Sequence, residues 1–167
     1  MPPGEWLKDN LADRATVFAP GQGEVLDIKG GRITLKITSA ISNDQLGVYE
    51  IVLEPGLVGA QLHFHRYTDE TFIVMEGTLT VTHGESKVNA KAGSVIHAPR
   101  FTPHAFANES DKPVTLMLIF NPAQSREGFF YGLQQIFNAP NFDAAAFTVL
   151  NNKYDSYPII ARTSATK

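Results

Sequence analysis

The sequence contains no cysteine. This absence excludes disulfide bonds, thiolate catalysis and sulfur-ligated zinc, so any metal site has to be built from histidine and carboxylate ligands. Long apolar runs are also missing, because no stretch approaches the roughly 18 residues that a membrane span requires. Residues 1–5 lack the basic and apolar regions of a signal peptide. We therefore expect a cytoplasmic protein with no membrane partner.

Charge of one sign is not concentrated anywhere in the chain. The formal net charge is -3, and no run of like charges suggests a surface for nucleic acid or anionic lipid. A small-molecule substrate is the partner that we expect. With 167 residues, 43% hydrophobic content and no evident repeat, residues 1–167 are long enough for one domain and short for two.

Short strand-like segments dominate residues 24–121. Ile33, Leu35 and Ile37 alternate with polar residues, which indicates a strand with one buried and one solvated face. The predicted strands cover about residues 33–37, 47–53, 61–66, 70–76, 78–82, 94–97, 104–108 and 114–121. Antiparallel strands at this spacing have to close or double over to protect their edges. The pattern predicts an all-β fold, and both a barrel and a sandwich are compatible with it.

The pattern becomes helical after Pro122. The apolar residues that follow recur at the spacing of one helix face, and they are Phe129, Phe130, Leu133, Ile136 and Phe137. A second helix is predicted over about residues 142–151, with Phe147 and Leu150 on its buried side. Both helices are expected to pack against the strands, with the aromatic stripe serving as core.

Five histidines are available as ligands, and two of them are two residues apart on a predicted strand. Side chains at this spacing project to the same face about 7 Å apart, so His63 and His65 can lean towards one ion while Phe64 points away. After a short loop, Glu70 can open the next strand and bring an oxygen ligand to the same place. His104, at the head of another predicted strand, is the candidate fourth ligand.

Three imidazoles and one carboxylate bind divalent transition metals and leave coordination positions open. The metal can be iron, nickel, manganese, cobalt, copper or zinc, because the ligand types do not select among them. The other two histidines lack this support. His83 lies in a predicted turn, and His97 precedes a bend.

Residues 55–108 resemble the two signature motifs of the cupin superfamily. The first motif joins a histidine pair to a glutamate and a glycine, here His63, His65, Glu70 and Gly77. The second motif runs through Gly93, Pro99, His104 and Asn108. One departure is Phe101, which stands where the second motif normally has glycine.

This resemblance implies a double-stranded β-helix, the jelly-roll cupin barrel, at about residues 22–122, with a helical extension at about 126–155. It also implies a homodimer. The helical tail is similar to that of single-domain cupins of the quercetin 2,3-dioxygenase-like kind. In such members the residue that corresponds to Glu70 is catalytic and takes a proton from the substrate, although Glu70 as a simple ligand would look the same in the sequence.

Three apolar residues follow the ligands in steps of two along their strands. Phe72 and Val74 lie beyond Glu70, and Phe106 lies beyond His104, so these side chains are predicted substrate contacts, or else ordinary barrel filling. No Arg or Lys occupies these positions, which disfavours small anionic substrates.

The hypothesis is therefore a metal-dependent dioxygenase acting on an aromatic or enolic molecule. The alternatives are a non-catalytic cupin that binds or senses a small ligand, and a metal-dependent isomerase or hydrolase.

Overall fold

The computed structural model of this chain describes residues 15–159, which form two antiparallel sheets and three helices. The strands are β1 Glu24–Ile28, β2 Gly31–Ile37, β3 Gly47–Leu53, β4 Val58–Phe64, β5 Asp69–Glu76, β6 Thr78–His83, β7 Ser86–Lys91, β8 Val95–Ala98, β9 His104–Ala107, β10 Val114–Asn121 and β11 Tyr157–Pro158. The helices are α1 Ser39–Ser42, α2 Arg126–Asn138 and α3 Ala144–Lys153.

The two sheets face each other as a jelly-roll barrel. One has the strand order β1-β2-β3-β10-β5-β8, and the other has the order β11-β4-β9-β6-β7. Strands that are distant in the chain lie side by side, as β10 does between β3 and β5. The predicted all-β jelly-roll fold with short C-terminal helices is confirmed.

Strict alternation in the central strands creates the core. In β3 and β10 every second side chain is buried, including Tyr49, Ile51, Leu116 and Phe120. Their neighbours on the same strands face outwards. Each fully buried side chain of this size stabilises the fold by about 1.5–3 kcal/mol relative to its exposed state.

Several strand boundaries differ from the prediction. Strand β4 begins at Val58 rather than at residue 61, and β1, β7 and β11 were not among the predicted strands. Strand β7 lies at a sheet edge and buries only Ala90, so it lacks the apolar alternation by which strands are recognised. Strand β11 is only two residues long and contains a proline.

The two C-terminal helices cover one side of the barrel. Phe129 and Phe130 of α2 are buried in the core, as predicted, and the Phe130 ring centroid lies 4.7 Å from that of Tyr49. Helix α3 begins at Ala144, not at residue 142, because Asp143 caps it by accepting a hydrogen bond from the Ala146 N–H at 2.9 Å.

Phe147 and Leu150, which were predicted on the buried side of α3, are half-buried. No helix between residues 15 and 159 has both the length and the hydrophobicity needed to cross a membrane.

Candidate metal centre

Four buried side chains converge inside the barrel. One nitrogen or oxygen atom from each of His63, His65, Glu70 and His104 lies within 4.8 Å of all the others. The structure therefore brings together the whole set of ligands that was predicted from the sequence.

Strand pairing explains why these residues meet. His63 on β4 is the direct register partner of His104 on β9, so their side chains project side by side from the same sheet. Glu70 lies on β5 in the opposite sheet and reaches the cluster from the other side of the barrel. The Phe64 ring points away, as predicted, and stacks on Tyr157 with a centroid distance of 5.4 Å.

The donor atoms are close enough to share one ion. Glu70 Oε2 lies 2.8 Å from His65 Nε2, 2.7 Å from His104 Nε2 and 3.9 Å from His63 Nε2. The Nε2 atoms of His63 and His65 are 3.2 Å apart. Two donors about 2.1 Å from one ion lie roughly 3.0–3.4 Å apart, so these separations suit a common metal.

Hydrogen bonds on the far side of the rings set the direction of the nitrogen lone pairs. His63 Nδ1 donates to the carbonyl of Gln61 at 2.8 Å, and His104 Nδ1 donates to the carbonyl of Thr102 at 2.9 Å. A carbonyl only accepts hydrogen bonds, so Nδ1 carries the proton and Nε2 of the neutral ring presents a lone pair to the centre.

A positive charge between them stabilises nitrogen lone pairs and a carboxylate that face one another at these distances. A divalent transition metal supplies that charge, and the mixture of imidazole and carboxylate suits such an ion. The residues present therefore fit the metal that was predicted.

The electrostatics of His63 and Glu70 fit this arrangement, whereas the Glu70 carboxylate raises the pKa of His104 despite the burial of that ring. Burial lowers the pKa of His63 to about 3, against the opposing influence of the Glu70 carboxylate. Burial opposes ionisation of Glu70, yet the imidazoles of His104 and His65 beside its carboxylate hold its pKa well below the usual range. At neutral pH His63 is a neutral ligand and Glu70 an anionic one, as metal coordination requires.

The C-terminal segment completes the site, and sequence reasoning missed this contribution. The main-chain carbonyl of Asp155 accepts a hydrogen bond from His65 Nδ1. The Asp155 carboxylate accepts hydrogen bonds from the main-chain N–H groups of Arg66, Tyr67 and Thr68, at 2.9, 2.9 and 3.2 Å. Asp155 thus fixes the loop that joins two metal ligands, and no local sequence pattern indicates such a contact.

A cavity of about 320 Å³ opens from the metal centre towards the C-terminal helices. His63 and Glu70 lie in its wall, together with Phe106 and three phenylalanines of α2, Phe129, Phe130 and Phe137. Phe106 thus borders the cavity as expected for a substrate contact. Phe72 and Val74 are fully buried core residues outside the cavity wall. Their role as substrate contacts stays a prediction.

The absence of a basic residue at the three predicted strand positions does not extend to the whole cavity. The strand positions are apolar, but Arg126 at the start of α2 is 5% exposed and lines the cavity. A sequence signal was available, because Arg126 stands three and four residues before Phe129 and Phe130 and so shares their helix face.

The two histidines that were left out of the site lie outside it. His83 is exposed at the end of β6. His97 is exposed on β8, where its Nδ1 lies 2.8 Å from the Thr71 hydroxyl.

Comparisons with known proteins agree with this architecture. Residues 49–120 match the family model described as the cupin domain. A quercetin 2,3-dioxygenase of Bacillus subtilis is 28% identical over 102 residues, which cover 60% of this chain and 30% of that protein. The aligned part is therefore much shorter than this relative.

Solved structures show the same fold at low sequence identity. KdgF from Halomonas superposes with a TM-score of 0.57 at 18% identity, covering 65% of this chain and 94% of KdgF. A sugar phosphate isomerase from a cupin superfamily, from Silicibacter pomeroyi, superposes with a TM-score of 0.52 at 24% identity, covering 58% and 62% of the two chains. The family model, the strand topology and the buried cluster of histidines and glutamate agree: residues 49–120 match the cupin domain model, and the chain has the cupin fold.

Proposed function

We propose that this protein is a metal-dependent dioxygenase that acts on an aromatic or enolic small molecule. One observation carries the proposal: two residues of the four-ligand cluster, His63 and Glu70, line a largely apolar cavity. The match to the quercetin 2,3-dioxygenase of Bacillus subtilis supports the same class of reaction, although it covers only part of that enzyme.

In this proposal the metal binds the substrate oxygen and orients the substrate. When bound, it supplies a Lewis-acidic position for an enolic or phenolic oxygen and a template for the reaction of the substrate with O2. His63, His65 and His104 hold it, because their inward-facing Nε2 atoms are fixed by hydrogen bonds on the outer side of each ring.

Glu70 is the residue that takes the proton of the substrate hydroxyl. Its carboxylate is ionised, its side chain is 1% exposed, and it lies in the cavity wall beside the position where the hydroxyl binds. A buried base within reach of the substrate oxygen contributes about 10²–10⁴-fold to such a reaction. The proton moves from the substrate oxygen to a carboxylate oxygen of Glu70.

The cavity orients the substrate and excludes water. Its volume of about 320 Å³ suits a small ring system, and the rings of Phe106, Phe129 and Phe130 provide apolar surface beside the metal centre. Exclusion of water protects a reactive intermediate from hydrolysis.

Oxygen consumption tests the proposal directly. Protein loaded separately with iron, nickel, manganese, cobalt, copper or zinc is incubated with quercetin and with simpler phenols and enols, while O2 uptake and products are measured. We expect uptake with at least one metal, and none with the variant His104→Ala under the same conditions. Absence of uptake with every metal and substrate would contradict the proposal.

Two further measurements, the melting temperature with ligand and product formation without oxygen, separate the two alternatives. A non-catalytic binding or sensing protein shows a rise in melting temperature with ligand but forms no product. An isomerase or hydrolase forms product equally well without oxygen.

A further inference from the structure

Arg126 is the one basic side chain buried in the cavity wall among residues 15–159. Its guanidinium carbon lies 4.3 Å from the ring centroids of both Phe120 and Phe129, so the group is held between two aromatic faces. Burial lowers the pKa of Arg126 to about 10, which leaves the side chain charged at neutral pH. A permanent cation is therefore fixed inside an otherwise apolar cavity.

The hydrogen bonds of this guanidinium are incomplete. Nη1 donates to the main-chain carbonyl of Tyr154. Nε is buried and has no hydrogen-bond partner within the described part of the chain. Because an unsatisfied buried donor on a charged group costs free energy, native structures rarely retain one unless it has a role. Arg126 lines the cavity, and a guanidinium can bind a carboxylate through two parallel hydrogen bonds.

The carboxylates near the Arg126 guanidinium interact with other groups. The Glu70 carboxylate faces Nε2 of His65 and His104 at 2.8 and 2.7 Å, and Asp155 accepts hydrogen bonds from the loop after β4. Glu127, the neighbour of Arg126 in the chain, is hydrogen-bonded by Ser39 and Tyr49. None of these groups hydrogen-bonds the guanidinium, so its charge is available to a ligand.

The charges around the cavity favour an anion. Among its lining residues Glu70 is the only acidic one, whereas Lys29, Arg32 and Arg126 are basic. Arg32 is exposed and paired with Asp27 at 3.2 Å, and Lys29 lies on the turn between β1 and β2. Divalent metal at the histidine cluster adds further positive charge, which exceeds the single charge of Glu70.

The cation and the metal ligands are one aromatic ring apart. The Phe120 ring lies 4.3 Å from the Arg126 guanidinium carbon and 5.7 Å, between centroids, from the His65 ring. Arg126 also lines the same cavity as His63 and Glu70, so a ligand in this cavity can contact Arg126 with one end and the metal centre with the other.

We propose that Arg126 binds the carboxylate of the substrate, and that the substrate is an aromatic or enolic carboxylic acid. The claim that this ligand is a substrate that reacts at the metal rests on the proposed function. The claim that Arg126 binds a carboxylate does not depend on it. A carboxylate is favoured over a phosphate because one guanidinium between two phenyl rings matches a single negative charge on an apolar body.

Binding of a matched pair of probes tests this site. The probes are 2-naphthoate and the neutral 2-naphthamide, which share shape and differ in charge. Titration calorimetry is carried out on the full chain, both zinc-loaded and metal-free, so that binding of the carboxylate to metal is separated from binding to Arg126. In both forms we expect naphthoate to bind at least about tenfold more tightly than the amide, as a charge-assisted hydrogen bond predicts.

The variant Arg126→Met should abolish this preference while changing the affinity for the amide by less than about twofold. The matched control is Arg66→Met, which removes an arginine that also stacks on an aromatic ring, that of Tyr157 at 4.3 Å, but lies outside the cavity wall. Equal binding of the two probes by the unmodified protein, or a preference that survives in Arg126→Met, would overturn the proposal.

A second measurement does not depend on how well Arg126→Met folds. In ¹⁵N NMR spectra the Nε–H signal of Arg126 is identified by its absence from Arg126→Lys. We expect naphthoate to shift this signal and naphthamide to leave it in place. If naphthoate leaves the signal unmoved, Arg126 is not the carboxylate site.

The outcomes also separate this inference from the proposed function. A carboxylate preference that depends on Arg126, without O2 uptake, identifies a binding protein for organic acids. Oxygen uptake without any carboxylate preference leaves the dioxygenase proposal standing and removes the role of Arg126.

Discussion

His65 donates its Nδ1–H to the main-chain carbonyl of Asp155, a residue 90 positions further along the chain. The carboxylate of the same aspartate accepts hydrogen bonds from three consecutive N–H groups of the loop that leads to Glu70. One residue outside the strands of the barrel therefore orients one metal ligand and fixes the connection to the next. Several predictions about the metal centre can be tested through this contact and its neighbours.

The variant Asp155→Asn should weaken metal binding about 10–100-fold, because groups that orient metal ligands commonly have effects of this size. Asparagine tolerates the left-handed backbone of this residue, where φ is 56°, so the loss is confined to the side chain. The amide presents only one acceptor oxygen to the loop, and we expect a loss of about 2–3 kcal/mol in unfolding free energy. Metal titration and chemical denaturation measure the two effects.

The matched control is Asp143→Asn at the N-cap of α3. Asparagine and aspartate cap helices about equally well, so stability should change by less than about 0.5 kcal/mol and metal affinity should not change. Unchanged metal affinity in Asp155→Asn would show that His65 is oriented without the loop contacts.

The variant His104→Ala should lose stoichiometric metal. His104 is buried, pairs with His63 across neighbouring strands and donates one of three imidazoles. Elemental analysis of purified protein measures the ratio of metal to chain. The control is His97→Ala, which removes an exposed histidine of β8 and should retain metal. Full metal content in His104→Ala would exclude His104 as a ligand.

The variant Glu70→Gln should reduce oxygen uptake at least about 100-fold while retaining part of the metal affinity. The amide keeps the shape of the side chain but cannot take the substrate proton, and three imidazoles remain to hold the ion. Turnover and metal content are measured on the same sample. Glu109→Gln, which alters a surface residue paired with Lys87, should leave both unchanged. Normal turnover in Glu70→Gln would make Glu70 a ligand without a role as base.

Asp69, next to Glu70 in the chain, should titrate at an unusually low pH. Hydrogen bonds from Arg100 lower the pKa of Asp69 to about 2. Because the pKa is lower in the folded protein than in the unfolded chain, the stabilising effect is complete above pH about 3.8 and is lost as the pH falls towards 2.

Carboxyl NMR across this range checks the prediction. The variant Arg100→Gln should return the pKa of Asp69 towards its ordinary value. Lys87→Gln, which disrupts an ion pair at another surface position, should not affect it. An unchanged titration of Asp69 in Arg100→Gln would refute the assigned cause.

The metal ligands could be predicted from the sequence because their geometry is mostly local. His63 and His65 share a face through the period of the strand, and Glu70 follows after a short loop, so only His104 required a contact between distant segments. The strands of the core were equally predictable, since burial of one face imposes alternation on residues such as Ile33 and Leu35. Edge strand β7 was not predicted, because both of its faces are largely exposed to solvent and impose no such alternation on its sequence.

The roles of Arg126 and Asp155 could not be predicted from strand or helix periodicity. Their contacts depend on how α2 and α3 fold back over the barrel, which strand and helix periodicity do not determine. Helical spacing does put Arg126 on the face of Phe129, but it does not reveal that a cavity lies in front of that face. The charge of the cavity, and with it the class of ligand, became visible only in three dimensions.

The hydrogen bond from His65 to Asp155 also has a consequence for biosynthesis. All four metal ligands leave the ribosome before the carbonyl group that orients His65. At about 5–20 residues per second, the stretch from Asn121 to Asp155 takes about 2 to 7 seconds to translate. During that interval a nascent chain carries a complete set of donor atoms with an incompletely oriented imidazole. The arrangement that would bind an ion tightly is therefore complete only after the synthesis of the barrel, when the tail docks.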